Sequence, residues 1–441
     1  MTLSGQAGGQ AEAQALPGWR DSVAFAADVF EQLRAQTKGE DGIQRPSYGA
    51  GEDAAHALMG RLGISLGMEH SIDDAGNLHL TLAGAQREQD RWITGSHLDA
   101  VPDGGNFDGA AGVVAGLAVV HALRAAGRTL QRDLTVIGFR AEEGSSWFRG
   151  QHKSHFGSRA LLGQLGAAEM REALSVVDGR TLWEHIERAG FRPDRIKTGL
   201  THLQTARVHA FVELHIEQGP LLVDSGIPVG IVKGIRGTLR GRNCRTLGEY
   251  AHSGAVPRES RHDALFATAE LAVALENEWE RWLADQRDSV CTMGRFSTDP
   301  KRHSLTKVPG EVQFSIDFRT LEAPLLNEAR TFLVDAATQI SARRGVAIEL
   351  GSLDISPPSL MDTRLQARLR ECANALDIPA VMMASGAGHD AANFSEAGVP
   401  TAMIFVRNDH GSHNPHEAMD MADFSLGTRV LAEFLMSPSP W

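Results

Sequence analysis

Four short apolar runs recur along the chain and lead into polar residues: "RWITGSH" (91–97), "DLTVIGF" (133–139), "VHAFVELH" (208–215) and "PTAMIFV" (400–406). Helical patterns follow them, as in "GAAGVVAGLAVVHALRAAG" (109–127), and strands alternating with helices predict an α/β fold. The expected architecture is a central, mostly parallel sheet with helices on both faces. From about residue 230 the pattern changes. "EVQFSIDFR" (311–319) alternates strictly, with Val312, Phe314, Ile316 and Phe318 on one face and Gln313, Ser315, Asp317 and Arg319 on the other. That is a half-exposed antiparallel strand. Amphipathic helices at roughly 261–285 and 324–344 flank it and predict a smaller α+β domain. The first pattern then resumes, so this domain is inserted: 231–346 within a larger one made of 19–230 and 347–441. Residues 1–18 read as a disordered tip.

At 441 residues the chain exceeds the size of one hydrophobic core, which agrees with two domains. A net charge of −12 without a Lys/Arg run excludes nucleic acid as the main partner. The three cysteines, Cys244, Cys291 and Cys372, are far apart and odd in number, which fits a reducing compartment. No secretory signal and no long uncharged apolar stretch is present, so the expectation is a cytoplasmic protein without a membrane partner.

In open α/β sheets, sites lie outside the carboxyl ends of the strands. The four runs bring His97, the pair Glu142 and Glu143, His215 and His416 to such ends, and "GSHLDAVPDGGNFDGAAG" (95–112) adds Asp99 and Asp108. Imidazole and carboxylate ligands suit zinc, manganese, cobalt or nickel, and one carboxylate can bridge two ions. Asp99 is placed to accept a hydrogen bond from the second imidazole nitrogen of His97, or to cap the following turn. Adjacent carboxylates repel unless cations are near. If Glu143 binds a metal, Glu142 stays free to move a proton; otherwise the pair is a solvated loop.

"GSHLDAVPDGGNFDGAAGV", "EEGSSWFRG" with "FGSRALLG", "ELHIEQGPLL", "HSGAVPRESRHDAL", "VPGEVQFSIDFR", "SGAGHDAANF" and "GSHNPHEAMD" together resemble the M20-type amidohydrolases of the N-carbamoyl-L-amino-acid hydrolase, allantoate amidohydrolase and β-ureidopropionase group. The resemblance covers about residues 20 to 435. It implies two divalent metal ions, with Asp108 bridging, His97 and His215 on one ion, and Glu143 and His416 on the other. It also implies Glu142 as general base, His252 as the oxyanion donor reaching across a homodimer, and Arg319 on the substrate carboxylate. Gln218 and His389 would line the substrate pocket, and the inserted domain would serve as lid and dimer contact. An oxyanion donor and a bidentate guanidinium are physically apt for a ureido substrate bearing a carboxylate. One departure is Thr306, where the family usually has Asn; a single hydroxyl replaces an amide's acceptor and two donors. A second is "HSGAVP" in place of "HAGTTP".

The leading reading is metal-dependent hydrolysis of a linear amide or ureido C–N bond in a small carboxylate-bearing substrate, an N-carbamoyl-L-amino acid first. Allantoate amidohydrolase and β-ureidopropionase activities are the alternatives, followed by aminoacylase or dipeptidase activity and a non-catalytic binding protein.

Overall fold

The four apolar runs form adjacent strands, in the order Leu134–Phe139, Arg91–His97, Val208–Ile216 and Thr401–Val406, and all four are parallel. They are buried on both faces, which is why the sequence shows continuous runs there rather than alternation. Ala210, Val212, Leu214 and Ile216 join a core with the helices Trp19–Thr37, Ala110–Ala125 and Met421–Met436. The alternate residues face the other way, where Phe211 stacks on Phe394 of the helix Asp390–Glu396 at 4.1 Å. His97 and His215 belong to this second set by parity.

The computed structural model describes residues 16–150 and 153–437; most of the expected tip, residues 1–15, lies outside these. Leu16 packs on the core, and Gly18 precedes the first helix with φ 78°. At the margins the sheet turns antiparallel: Leu78–Leu82 pairs with Leu134–Phe139, and Val229–Ile235 pairs with Thr401–Val406. The result is a mixed α/β fold with a parallel centre. Among the described residues no helix is long and apolar enough to cross a membrane.

The chain divides into two compact units, Met1–Lys233 with Met361–Trp441, and Gly234–Leu360. The second unit ends later than the sequence pattern suggests, at Leu360 instead of 346. Gly345, with φ 64°, closes the helix Ala323–Arg344, and the chain then adds two edge strands, Ala347–Glu349 and Leu353–Ser356, to Gly237–Leu247. Glu311–Thr320 pairs with the other side of Gly237–Leu247, and every pairing in this sheet is antiparallel. Phe314, Ile316 and Phe318 point into a core with Trp282 and Leu333, from the helices Ala264–Ala284 and Ala323–Arg344, and Val312 on the same face is also buried. Asp263 caps the first of these by accepting the Leu265 and Phe266 N–H groups.

Phe318 is fully buried, with the Trp282 ring 5.0 Å away. Phe318→Ala is expected to lower the unfolding free energy by about 3–5 kcal/mol, read as a fall in the urea midpoint at unchanged slope.

Candidate active site

The parallel strands end together, and the loops beyond them bring the polar residues into one cluster, buried except at His413, whose side chain is half exposed. His97 closes its strand, and its Nδ1 lies 3.1 Å from the Asp99 carbonyl oxygen and 3.3 Å from Asp99 Oδ1. Both partners are acceptors, so Nδ1 carries the proton and Nε2 presents a lone pair. His215 is fixed the same way: Nδ1 donates to the Ile216 carbonyl at 2.8 Å, and Nε2 accepts the Gly109 N–H at 3.2 Å. Gly109 has φ 66°, and a β-carbon there would stand 2.4 Å from the His97 ring. Only glycine lets the turn into the helix pass that close.

Asp108 sits at the centre. Its Oδ1 is 3.2 Å from His215 Nε2 and 3.7 Å from His97 Nε2, and its Oδ2 is 3.4 Å from His413 Nε2. His413 Nε2 is also 2.9 Å from Glu143 Oε1. Two donor sets therefore share Asp108: His97, Asp108 and His215, and Asp108, Glu143 and His413, each with its ligand atoms within 4.8 Å of one another. Ligands about 2.0–2.2 Å from a tetrahedral ion stand about 3.3–3.6 Å apart, close to these separations. The residues fit two divalent ions. With protons alone, the rings are forced to take up the positive charge. Burial would lower His97 and His215, yet the surrounding carboxylates raise both, and contacts with Asp108 and Glu143 push His413 up to about 11. Burial would raise Asp108, but His215 and His413 hold it well below the carboxylate range.

Glu142 belongs to neither set. Burial pushes its carboxyl well above the usual range, with His97 opposing and Glu143 reinforcing the shift. Its position comes from the backbone. Ala141 turns through φ 53°, and the buried Glu52 carboxylate stabilises that turn by accepting the Ala141 and Tyr48 N–H groups at 2.8 and 2.6 Å. The next two N–H groups, of Glu142 and Glu143, donate to Asp99 Oδ1 and Oδ2 at 3.0 and 3.1 Å. Ser47 completes the coordination of Asp99 at 2.6 Å. One carboxylate thus orients His97 and anchors the acidic pair.

His416 is not part of the cluster. Its backbone N–H donates to Asn414 Oδ1 at 2.9 Å, and its ring belongs to neither donor set. His413, three residues earlier in the same block, takes the expected place because the loop turns there in a left-handed conformation, with φ 65° at Gly411 and 60° at His413. Gln218 reaches Asp108, donating from Nε2 at 3.1–3.2 Å. His389, expected in the pocket wall, is buried behind the cluster. Its ring lies 4.5 Å from that of His215, and its Nε2 is 2.9 Å from Ser385 Oγ. His389, Glu213 and His215 also lie close enough to hold an ion. The Glu213 oxygens also accept hydrogen bonds, from Ser96 Oγ at 2.6 Å and the Ala391 N–H at 2.8 Å.

Three expected site residues lie in the inserted unit. His252 is exposed on a two-residue strand paired with Lys307–Val308, and its Nδ1 accepts the Gly254 N–H at 3.1 Å. The Thr306 carbonyl accepts the Ser253 N–H at 3.0 Å, which puts Thr306 beside His252 on one ribbon. Arg319 Nη2 donates to Asp317 Oδ2 at 2.7 Å on the polar face of its strand.

The model of peptidase family M20/M25/M40 matches residues 93–437, which include this whole cluster. The chain belongs to family M20. It is 33% identical over 393 residues to an N-carbamoyl-L-amino acid amidohydrolase of Geobacillus stearothermophilus, covering 88% of this chain and 92% of that one. It is 31% identical to an allantoate amidohydrolase of Escherichia coli, covering 84% and 86%. The solved structure of a hydantoinase/carbamoylase family amidase from Burkholderia multivorans superposes with a TM-score of 0.85 at 27% identity, covering 94% of this chain and 97% of that one. M20 enzymes generally use two metal ions, in keeping with the two donor sets.

Several further residues of this M20 site do not stand out in the sequence pattern. Glu417 accepts the Phe107 and Asp108 N–H groups at 2.8 and 3.2 Å and the Ser412 hydroxyl at 2.6 Å, tying the Asp108 turn to the His413 loop. Arg45 is fully buried and faces Glu417, Asp108 and Asp99 as a fixed positive charge. His155 Nε2 is 2.9 Å from Glu142 Oε1. Only Glu417 was findable, since it shares the block that holds His413.

The two histidines of "GSHNPHE" are separable by experiment. His413→Ala should reduce bound divalent metal from two ions to about one per chain, whereas His416→Ala should leave the metal content at two, as measured by elemental analysis of the purified variants.

Proposed function

We propose that this chain hydrolyses the ureido C–N bond of N-carbamoyl-L-amino acids, giving the amino acid, carbon dioxide and ammonia. The observation that carries the reading is a buried carboxylate, Asp108, shared by two ligand sets, with a third carboxylate, Glu142, beside them and outside both. Two divalent ions held there, zinc, manganese, cobalt or nickel, supply the positive charge that polarises a water and the scissile carbonyl. His97, Asp108 and His215 would hold one ion, and Asp108, Glu143 and His413 the other. Asp99 keeps the His97 ring in the tautomer that leaves Nε2 free for a ligand.

Glu142 takes a proton from the attacking water and delivers it to the leaving nitrogen as the C–N bond breaks. Burial within the cluster shields the transfer from bulk water. His252 is the proposed donor to the oxyanion, and Arg319 the proposed partner of the substrate carboxylate. Both roles rest on the family resemblance and on chemistry suited to each task. A homodimer formed through the inserted unit would supply His252 from the neighbouring chain. Gln218, already directed at the Asp108 carboxylate, is proposed to turn its amide to the ureido group.

Glu142→Gln is expected to lower kcat by about 10²–10⁴-fold while the metal content stays at two ions; near-normal turnover would remove Glu142 as the base. Substrate choice is tested by assaying N-carbamoyl-L-amino acids, β-ureidopropionate, allantoate and N-acetyl amino acids with each of the four metals. The highest kcat/KM should fall on an N-carbamoyl-L-amino acid. Preference for allantoate would transfer the assignment to the allantoate amidohydrolase reaction.

A further inference from the structure

We infer that His155 is a positioning residue for Glu142, held in a slot that exists because residue 388 is glycine. The inference rests on the proposed role of Glu142 as the base. His155 lies in "HKSHFGSRALLG", thirteen residues beyond Glu142, and none of the metal-ligand or base assignments uses it.

Three consecutive backbone hydrogen bonds fasten its segment to the acidic loop. The N–H groups of His155, Phe156 and Gly157 donate to the carbonyls of Glu142, Ala141 and Arg140 at 3.0, 3.0 and 2.9 Å. His155 adopts φ 61° and ψ 46° at the start of the helix Phe156–Leu161. That left-handed conformation is disfavoured for a residue with a β-carbon. Here it places Nε2 2.9 Å from Glu142 Oε1, with the ring largely buried. From the opposite side comes the backbone of Gly388. A β-carbon on Gly388 would stand 2.9 Å from His155 Nε2 and 3.0 Å from Cε1, closer than the ring allows. Two segments over 200 residues apart therefore shape one ring position.

A neutral imidazole in that position donates Nε2–H to Oε1 and leaves Oε2 as the oxygen that exchanges the proton with water and the leaving nitrogen. A base whose carboxylate is free to rotate spends less of its time in the productive orientation. Loss of the ring should therefore lower kcat and leave KM and the bound ions unchanged.

The test uses the metal-loaded full-length protein with an N-carbamoyl-L-amino acid. His155→Ala should lower kcat by about 10- to 100-fold with KM and metal content as in the wild type, and His155→Gln, which keeps a side-chain N–H donor, should recover part of the loss. Gly388→Ala should lower kcat similarly by displacing the ring, and should add nothing in the His155→Ala background. Wild-type kcat in His155→Ala, equal losses in the Ala and Gln variants, additive losses in the double variant, or loss of bound metal would each overturn the positioning role. If the wild type itself hydrolyses none of these substrates, the proposed reaction falls, and the inference with it.

Discussion

The cost of burying Asp108 governs the design of this site. A carboxylate removed from water is strongly destabilised unless it is paired and hydrogen-bonded, and Asp108 is surrounded by Glu143, Glu142 and Glu417 as well as by imidazoles. The backbone fixes the tautomers of His97 and His215 so that their lone pairs, not their protons, face it. Positive charge has to come from elsewhere. Protons on the rings can supply it, which is why His97, His215 and His413 are raised together. Divalent ions supply it better, because each satisfies several lone pairs at once. The buried Arg45 contributes a permanent charge behind the cluster and does not compete for the ligand atoms.

A second constraint follows from the adjacency of Glu142 and Glu143. Neighbouring carboxylates on one loop need different surroundings if they are to differ in function. The separation is made by the backbone: both N–H groups converge on Asp99, while the side chains diverge, Glu143 to His413 and Glu142 to His155. Asp99 thereby links the end of one strand to the loop after the next, so that His97 and the acidic pair move as one body. Glu52 does the same one residue earlier, at the strained Ala141. Rigidity of this kind keeps a proton-transfer group within reach of its target without the target being present.

Much of this was legible in the sequence because strand-end chemistry follows from topology. The runs 91–97 and 208–215 end on His97 and His215 because a parallel strand delivers its last side chain to the same edge as its neighbours. The inserted strand was readable from four alternating apolar residues. What failed was local. "GSHNPHE" contains two histidines three residues apart, and composition does not tell which one a left-handed turn at Gly411 and His413 brings to Asp108 and Glu143. Likewise "AIELGSLDIS" (347–356) does not show that it pairs with Gly237–Leu247, because register there is set by a partner a hundred residues away. His389, which the family resemblance assigns to the substrate pocket, is buried with its ring edge-on to that of His215, a contact that its glycine-rich block does not reveal.

The division of the chain into two units also separates two kinds of chemistry. The donor sets, Asp99 and Glu142 all lie in the first unit, and nothing in them recognises a particular substrate beyond a polarised carbonyl and a leaving nitrogen. Of the residues proposed to meet the substrate, Gln218 lies in the first unit, while His252, Thr306 and Arg319 are carried by the second on an exposed ribbon and a strand's polar face. Relatives at 33% and 31% identity are named for different substrates, as expected if the metal cluster is held constant while the recognition surface varies. Thr306 is then the informative departure. If Thr306 meets the substrate as the family resemblance implies, its hydroxyl offers one donor where the usual asparagine offers two, so the contact made there has to differ.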